Sequence, residues 1–230
     1  IFVSTQSIYG ISNSDIELSE DSAKNPVTSY AKSKWEAEQV ILDLGSDDFT
    51  VVAVRPSTVF GWGSRIRTDI IFNNMIASGI LNKKIEVHTD GTPNRPVVHV
   101  LDVVDFLVTL LDANPNVVNR QAYNLGCLDG NYSVLEIAKI ASSCLGQLPI
   151  VLNTENLTDQ RSYKVSFKKA ARELNFIAKR PLEFAGKEII ENWNSLTHSD
   201  KQRFFDDTTR LGVLKKLIKQ GKINSELRWS

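Results

Sequence analysis

The 230-residue chain is long enough for one large domain, or a domain with a small lobe. Acidic and basic residues balance at 27 each, which excludes the bulk positive field of a nucleic-acid binder. No apolar run reaches the roughly 18 residues a membrane span needs. No basic segment leads into an apolar one as in a secretory signal, and Cys127 and Cys144 form no CxxC. A cytoplasmic protein with buried or incidental thiols and no metal-ligand set is therefore expected.

The chain opens on IFVST, an apolar run ending in hydroxyls, and residues 1–4 read as a buried strand. A domain seldom begins on an interior strand, so the back portion of a longer protein is expected. Residues 27–44 read as a helix, with Trp35, Val40, Ile41 and Leu44 toward the core and Gly45 past its end. TVVAVR at 50–55 is a near-continuous buried strand stopped by Pro56. Residues 69–79 follow as a helix with Gly79 as its C-cap, and 84–88 and 96–100 read as strands around the turn DGTPN. A helix at 101–113 carries Leu101, Val104, Val108 and Leu111 on one stripe, and a strand at 121–125 runs into Gly126.

In the helix at 133–145, Ser133 and Glu136 form a capping box. IVL at 150–152 is a short strand, and helices at about 167–174 and 181–195 follow. Strand and helix alternate, which implies parallel pairing with crossover helices and an α/β fold. From Lys201 to Ser230, eight Lys/Arg stand against three Asp/Glu, a local excess of five. Leu211, Leu214, Leu217 and Ile218 share a helical face there, which reads as a terminal helix docking its apolar side on the body. A membrane-surface or partner helix is the alternative.

The chemistry concentrates in PVTSYAKSKWEAE at 26–38. On a helix, i and i+4 are neighbours, so Lys34 stands one turn from Tyr30. An ammonium there favours the phenolate and would bring the phenol toward the range where it works as a general acid or base. Thr5 closes the first strand 25 residues earlier. Parallel sheets gather functional residues at the carboxyl ends of their strands, so a Thr5 hydroxyl could meet the same substrate oxygen as Tyr30.

Over about residues 1–185 the chain resembles the extended short-chain dehydrogenase/reductase family, in particular its nucleotide-sugar epimerases and dehydratases. STQSIYG is similar to the family's hydroxyl motif, and PVTSYAKSKWEAE to its YxxxK helix. RPSTVFGWG at 55–63 resembles RPxNVYGPG, and DGTPNRPVVHVLDVVD resembles GxxxRDFIHVDDVA. YNLG at 123–126 and SYKVSFKKAARELNF at 162–176 match later landmarks.

The resemblance implies the C-terminal part of a Rossmann-like doubly wound parallel sheet plus a smaller α/β substrate-binding lobe. Residues 1–66 would complete the dinucleotide-binding domain. Residues 67–196 would form mainly the lobe, with some elements returning to the sheet, and 197–230 a helical tail. Tyr30 would be the acid/base. Lys34 would tune it and hold the nicotinamide ribose, and Thr5 would bind the reacting oxygen. Pro56 and Ser57 would lie near the nicotinamide of NAD, or of NADP. Arg95 and Arg161 would clamp a substrate diphosphate. Thr58 stands where the family often has a substrate-contacting Asn, and Ser166 where it often has Asp. His99 reads as a strand-end structural histidine.

The family's Gly-rich dinucleotide turn is absent, as the glycines at 10, 45, 61 and 63 do not make one. The resemblance places it upstream of Ile1, so the 230 residues by themselves are expected to bind NAD poorly. Gln6 and Ser7 stand where sugar 4,6-dehydratases place acidic residues, which argues for simple hydride chemistry. The leading expectation is an NAD-dependent nucleotide-sugar 4-epimerase of polysaccharide biosynthesis acting on a nucleotide-diphosphate sugar. A 4-ketosugar nucleotide reductase or dehydratase, or a non-catalytic cofactor-binding homologue, are the alternatives. A homodimer through the YxxxK helix is expected from the resemblance.

Overall fold

The computed structural model describes the chain except residues 13–15, 128, 154–161, 202–203, 205–208 and 230. Strand β1 (Phe2–Val3) runs into a 3-10 turn, Gln6–Tyr9, whose N-cap is Thr5. After β2 (Glu17–Leu18), Thr28 caps α1 (Ser29–Asp43) by accepting the Ala31 N–H at 3.1 Å. The wholly buried β3 (Val52–Pro56) is followed by β4 (Thr58–Phe60), α2 (Ile71–Asn82), β5 (Ile85–Val87) and β6 (Asn94–His99). Then come α3 (Val100–Leu111), the short α4 (Pro115–Val118), β7 (Gln121–Leu125), β8 (Asn131–Ser133) and α5 (Val134–Cys144). The chain continues with β9 (Ile150–Leu152), β10 (Lys164–Val165), α6 (Lys168–Leu174), α7 (Leu182–Ser195) and α8 (Arg210–Lys219).

Strands β1, β3 and β7 form a parallel sheet in that order, with Val3 beside Val54 and Val54 beside Tyr123. Side chains alternate across it. Val52, Val54 and Tyr123 pack with Phe106 and Leu110 of α3 on one face. Arg55, one position on, meets Glu38 of α1 on the other face. Helices on both faces of a parallel sheet define the doubly wound α/β architecture. Strand β6 pairs parallel with β4 and antiparallel with β8. The antiparallel pairing arises because the chain turns directly from β7 into β8 with no helix between them. Strands β5 and β9 pair in parallel, as do β2 and β10. The largest apolar cluster joins Phe60, Phe72, Ile76, Ile85, Ile137 and Leu182, from β4, α2, β5, α5 and α7.

Four expectations are corrected. Helix α2 runs past Gly79 to Asn82, and Lys83 takes the left-handed C-cap with φ +56°, its N–H bonding the Gly79 carbonyl at 3.0 Å. Gly79 is there for close approach. A Cβ on it would lie 2.6 Å from Leu145 Cδ1 and 2.7 Å from Ile85 Cδ1. On α3, the stripe Leu101, Val104, Val108 and Leu111 is exposed, and Phe106 and Leu110 face the sheet. The helix is apolar nearly all round, so its periodicity offered two stripes. The buried arc also takes in Asp102, which Arg180 meets at 2.6 Å. On α1, Val40 and Leu44 are exposed, and Trp35 and Ile41 only half-buried, because the inner side carries Glu38. The tail helix α8 has no fully buried residue, and Leu211 and Ile218 of its apolar face are exposed. Among the described residues, no helix is long and apolar enough to cross a membrane.

Candidate active site

Thr5, Tyr30, Pro56 and Ser57 sit where β1 and β3 end and α1 begins. Thr5 is buried, and its hydroxyl is used locally. Oγ1 accepts the Ser7 N–H at 3.2 Å and lies 3.2 Å from Ser7 Oγ, to which it donates. One acceptor lone pair is left for a ligand. Lys34 reaches back across the sheet edge. Its ammonium donates to the Val3 carbonyl at 2.8 Å and lies 4.9 Å over the Phe2 ring. The Tyr30 hydroxyl has no hydrogen-bond partner among the described residues.

Tyr30, Ser57 and Thr58 line one cavity of about 350 Å³, together with Trp62, Arg65 and Arg67. Arg67 forms a two-point pair with Asp69, at 3.0 and 2.7 Å, which holds its guanidinium charged. A second cavity of about 360 Å³ shares Thr58 and Ile70 with the first, and is lined by Asn74, Glu86, His88 and Arg95. Arg95 is nearly buried and donates to the Asn94 carbonyl at 3.0 Å. The structure thus brings Tyr30, Ser57 and Thr58 together and joins Arg95 to them through Thr58. Arg161 lies outside the described residues.

The loop between β4 and α2 forms the cavity wall, and three side chains from other elements hold it. Asn73 accepts the Gly61 N–H at 3.1 Å and donates to the Gly61 and Arg67 carbonyls. Glu188 of α7 accepts the Trp62 N–H at 2.8 Å. His99 is wholly buried against Gly61, and a Cβ on that glycine would lie 2.5 Å from His99 Nε2. Sequence reading missed Asn73, Glu188, Arg65 and Arg67. The loop's own glycines, Gly61 and Gly63, were the available signal for a shaped segment.

Gln6, at the position read as diagnostic against dehydration, is 1% exposed. Its Nε2 donates to the carbonyls of Arg55 and Leu125, at 3.0 and 3.1 Å, and so bolts the carboxyl ends of β3 and β7 together. The Ser57 N–H donates to that same Leu125 carbonyl at 2.8 Å. Three buried polar atoms here have no hydrogen-bond partner among the described residues: Ser4 Oγ, Gln6 Oε1 and Ser57 Oγ. Buried polar atoms are almost always hydrogen-bonded. A cluster of exceptions at the carboxyl edge of a parallel sheet is where a ligand with donors and acceptors fits.

A doubly wound parallel sheet, with a Tyr-bearing helix opening on a polar cavity at its carboxyl edge, defines a Rossmann-type class. The chain belongs to the NAD dependent epimerase/dehydratase family, whose model matches residues 1–126. It is 30% identical over 201 residues to the UDP-glucose 4-epimerase of Bacillus subtilis, covering 80% of this chain and 59% of that protein. It is 26% identical over 213 residues to UDP-glucose 4-epimerase GEPI48 of Cyamopsis tetragonoloba, covering 84% and 59%. Among solved structures it is similar to MoeE5 in complex with UDP-glucuronic acid and NAD, at 27% identity and a TM-score of 0.70, covering 84% of this chain and 64% of that one. The fold is also shared, at 20% identity and a TM-score of 0.71, with RMD from Pseudomonas aeruginosa complexed with NADPH. The chain spans about three fifths of the length of the curated relatives it matches.

Proposed function

We propose that the chain carries the catalytic half of an NAD-dependent nucleotide-sugar epimerase of the 4-epimerase type. The observation that carries this reading is the pair of cavities meeting at Thr58, one opening on Tyr30 and the other on Arg95. A nucleotide-diphosphate sugar has two such parts, a reacting sugar and an anionic diphosphate that suits a guanidinium. The relatives named UDP-glucose 4-epimerase support the substrate class.

Residues at the site fit the cofactor. The orphaned Ser57 hydroxyl and the Pro56 backbone would face its nicotinamide, and Lys34 and Tyr30 its ribose. NAD, when bound there, would supply the hydride acceptor and donor for the sugar carbon. The chain's own residues manage the rest. Tyr30 carries the proton off the sugar C4 hydroxyl and back. The Thr5 hydroxyl, turned from Ser7 Oγ, donates to the sugar C4 oxygen and orients it. Thr58 contacts the sugar, and Arg95 and Arg161 hold the diphosphate. Gln6 has no proton to exchange, and its amide is committed to two main-chain carbonyls, which favours epimerisation over dehydration. Val27, Val40 and Leu44, exposed on and beside α1, support a second copy docking on that helix.

The test is Tyr30→Phe in the complete gene product, assayed for interconversion of UDP-sugars. Turnover falls by a factor of about 10²–10⁴. Turnover at the unaltered rate removes the mechanism. Stoichiometric consumption of reduced cofactor would instead identify a 4-ketosugar reductase.

A further inference from the structure

Helix α1 fully buries only Ala31 and Glu38, whereas Val40 is exposed and Trp35, Ile41 and Leu42 are only half-buried. A helix seated by apolar burial would show the reverse. Its anchor is an ion pair. Arg55 Nε lies 3.1 and 3.2 Å from the two Glu38 carboxylate oxygens, and Nη2 lies 2.5 Å from Oε1. The two side chains are 0% and 4% exposed. Arg55 Nη1 donates to the Tyr9 hydroxyl and to the Glu20 carbonyl, both at 3.0 Å. The Tyr9 hydroxyl donates in turn to Asn124 Oδ1 at 2.8 Å, and the Asn124 N–H donates to Glu20 Oε1 at 2.8 Å. The guanidinium also lies 5.7 Å from the Tyr9 ring and 5.9 Å from the Trp35 ring.

Three segments in this web also carry candidate site residues. Tyr9 ends the 3-10 turn that Thr5 caps. Glu38 lies one turn beyond Lys34 and two beyond Tyr30, about 12 Å along the helix from the latter. Arg55 is followed directly by Pro56 and Ser57. Burying a charge pair brings little net stability, because desolvation offsets the attraction. What a two-point guanidinium–carboxylate contact provides is a single geometry. An apolar pair of the same size would tolerate the helix sliding or turning by a fraction of a residue.

We propose that Glu38 and Arg55 are positioning residues that set the place of Tyr30 relative to Thr5 and Ser57. The inference rests on the epimerase reading above. Misplacement by about 1 Å is enough to slow an acid–base step by about a hundredfold.

The experiment compares the complete gene product with Glu38→Met/Arg55→Met, with Arg55→Lys and with Tyr9→Phe. Melting temperature, kcat and KM for the UDP-sugar are measured for each. The Met pair keeps its melting temperature within a few degrees and its KM within about threefold, and loses at least tenfold in kcat. Arg55→Lys keeps the charge but not the fork, and also loses kcat without KM. Tyr9→Phe removes the hydroxyl's bonds to Arg55 and Asn124 but leaves the Glu38–Arg55 pair, and shows a smaller kcat loss, of about three- to tenfold. If the Met pair does not fold, the Lys and Phe variants carry the comparison. Unchanged kcat in the folded variants overturns the positioning role, as does a kcat loss that merely tracks the unfolded fraction. A wild-type protein without turnover sinks the epimerase reading itself, and this role with it.

Discussion

The imidazole of His99 stands 3.3 Å from the carboxylate of Glu188, and the contact links β6 to α7 beneath the cavity wall. His99 Nδ1 accepts the Leu101 N–H at 3.1 Å and so caps α3. The ring proton therefore sits on Nε2, donating to Glu188. The same carboxylate accepts the Trp62 N–H. The loop beside Tyr30 is thus tied to a neutral, buried histidine.

Burial pushes the His99 pKa below its ordinary value, and Glu188 and Asp102 only partly oppose this. A histidine whose pKa falls on folding binds fewer protons folded than unfolded. Its contribution to stability is present above about 6.5 and is lost as pH falls from there through the folded value. Melting temperatures measured between pH 8 and pH 5 should decline accordingly. In His99→Asn, where the amide keeps the cap on α3, that component of the decline should be absent. An unchanged slope in the variant would show that His99 does not drive it.

Gly61 has φ +110°, and any side chain on it would strike His99. Gly61→Ala is expected to lose about 1–3 kcal/mol. For a domain of this size that is roughly 2–4 °C of melting temperature per kcal/mol. KM for the UDP-sugar should rise, because the displaced loop includes Trp62, Arg65 and Arg67.

Gln6→Glu replaces two donated hydrogen bonds with a carboxylate facing two carbonyl oxygens. The expected loss is at least about 1–3 kcal/mol at pH 7. The deficit relative to wild type at the same pH should shrink on acidification, since a protonated carboxyl regains one donor. No dehydrated sugar product should appear, which chromatography of the reaction mixture would check.

Ser133 and Glu136 form a complete capping box at the start of α5, with Glu136 accepting the Ser133 N–H at 2.7 Å and its hydroxyl at 2.8 Å. Those bonds lower the Glu136 pKa. A carboxylate lowered on folding contributes stability above its unfolded pKa of about 4.3 and loses it as pH falls through the folded value. Ser133→Ala should lose about 1 kcal/mol at pH 7. Denaturant titrations at pH 7 and pH 3 should show that difference narrowing at the lower pH.

Local signals in the chain were sufficient for the α/β order, the YxxxK helix, the α5 capping box and the helix ends near 174 and 195. Hydrogen-bonding residues and hydrophobic period act over a few positions, and a single sequence displays them. Tyr30 was legible in the same way, Ser57 and Thr58 only through the family resemblance, and the fold brings the three to one cavity.

Other features depended on what lies opposite a residue in space. Leu101, Val104, Val108 and Leu111 form as regular a stripe as Phe106 and Leu110, and only the sheet beneath α3 selects which is buried. Gly79 looked like a helix end, and is a contact point for Leu145 and Ile85. Glu38 stands in the YxxxK stretch with nothing nearby in sequence to mark it as buried. It is the seat of α1, because Arg55 arrives from a strand 17 residues later. The sequence by itself determined most of the helices and the longer strands, though not β2, β4, α4, β8 or β10, and which residue types could do acid–base chemistry, through interactions a few residues long. Tertiary structure alone decided which faces are buried, which charges are paired and what holds the cavity wall, because those outcomes depend on partners distant in the chain.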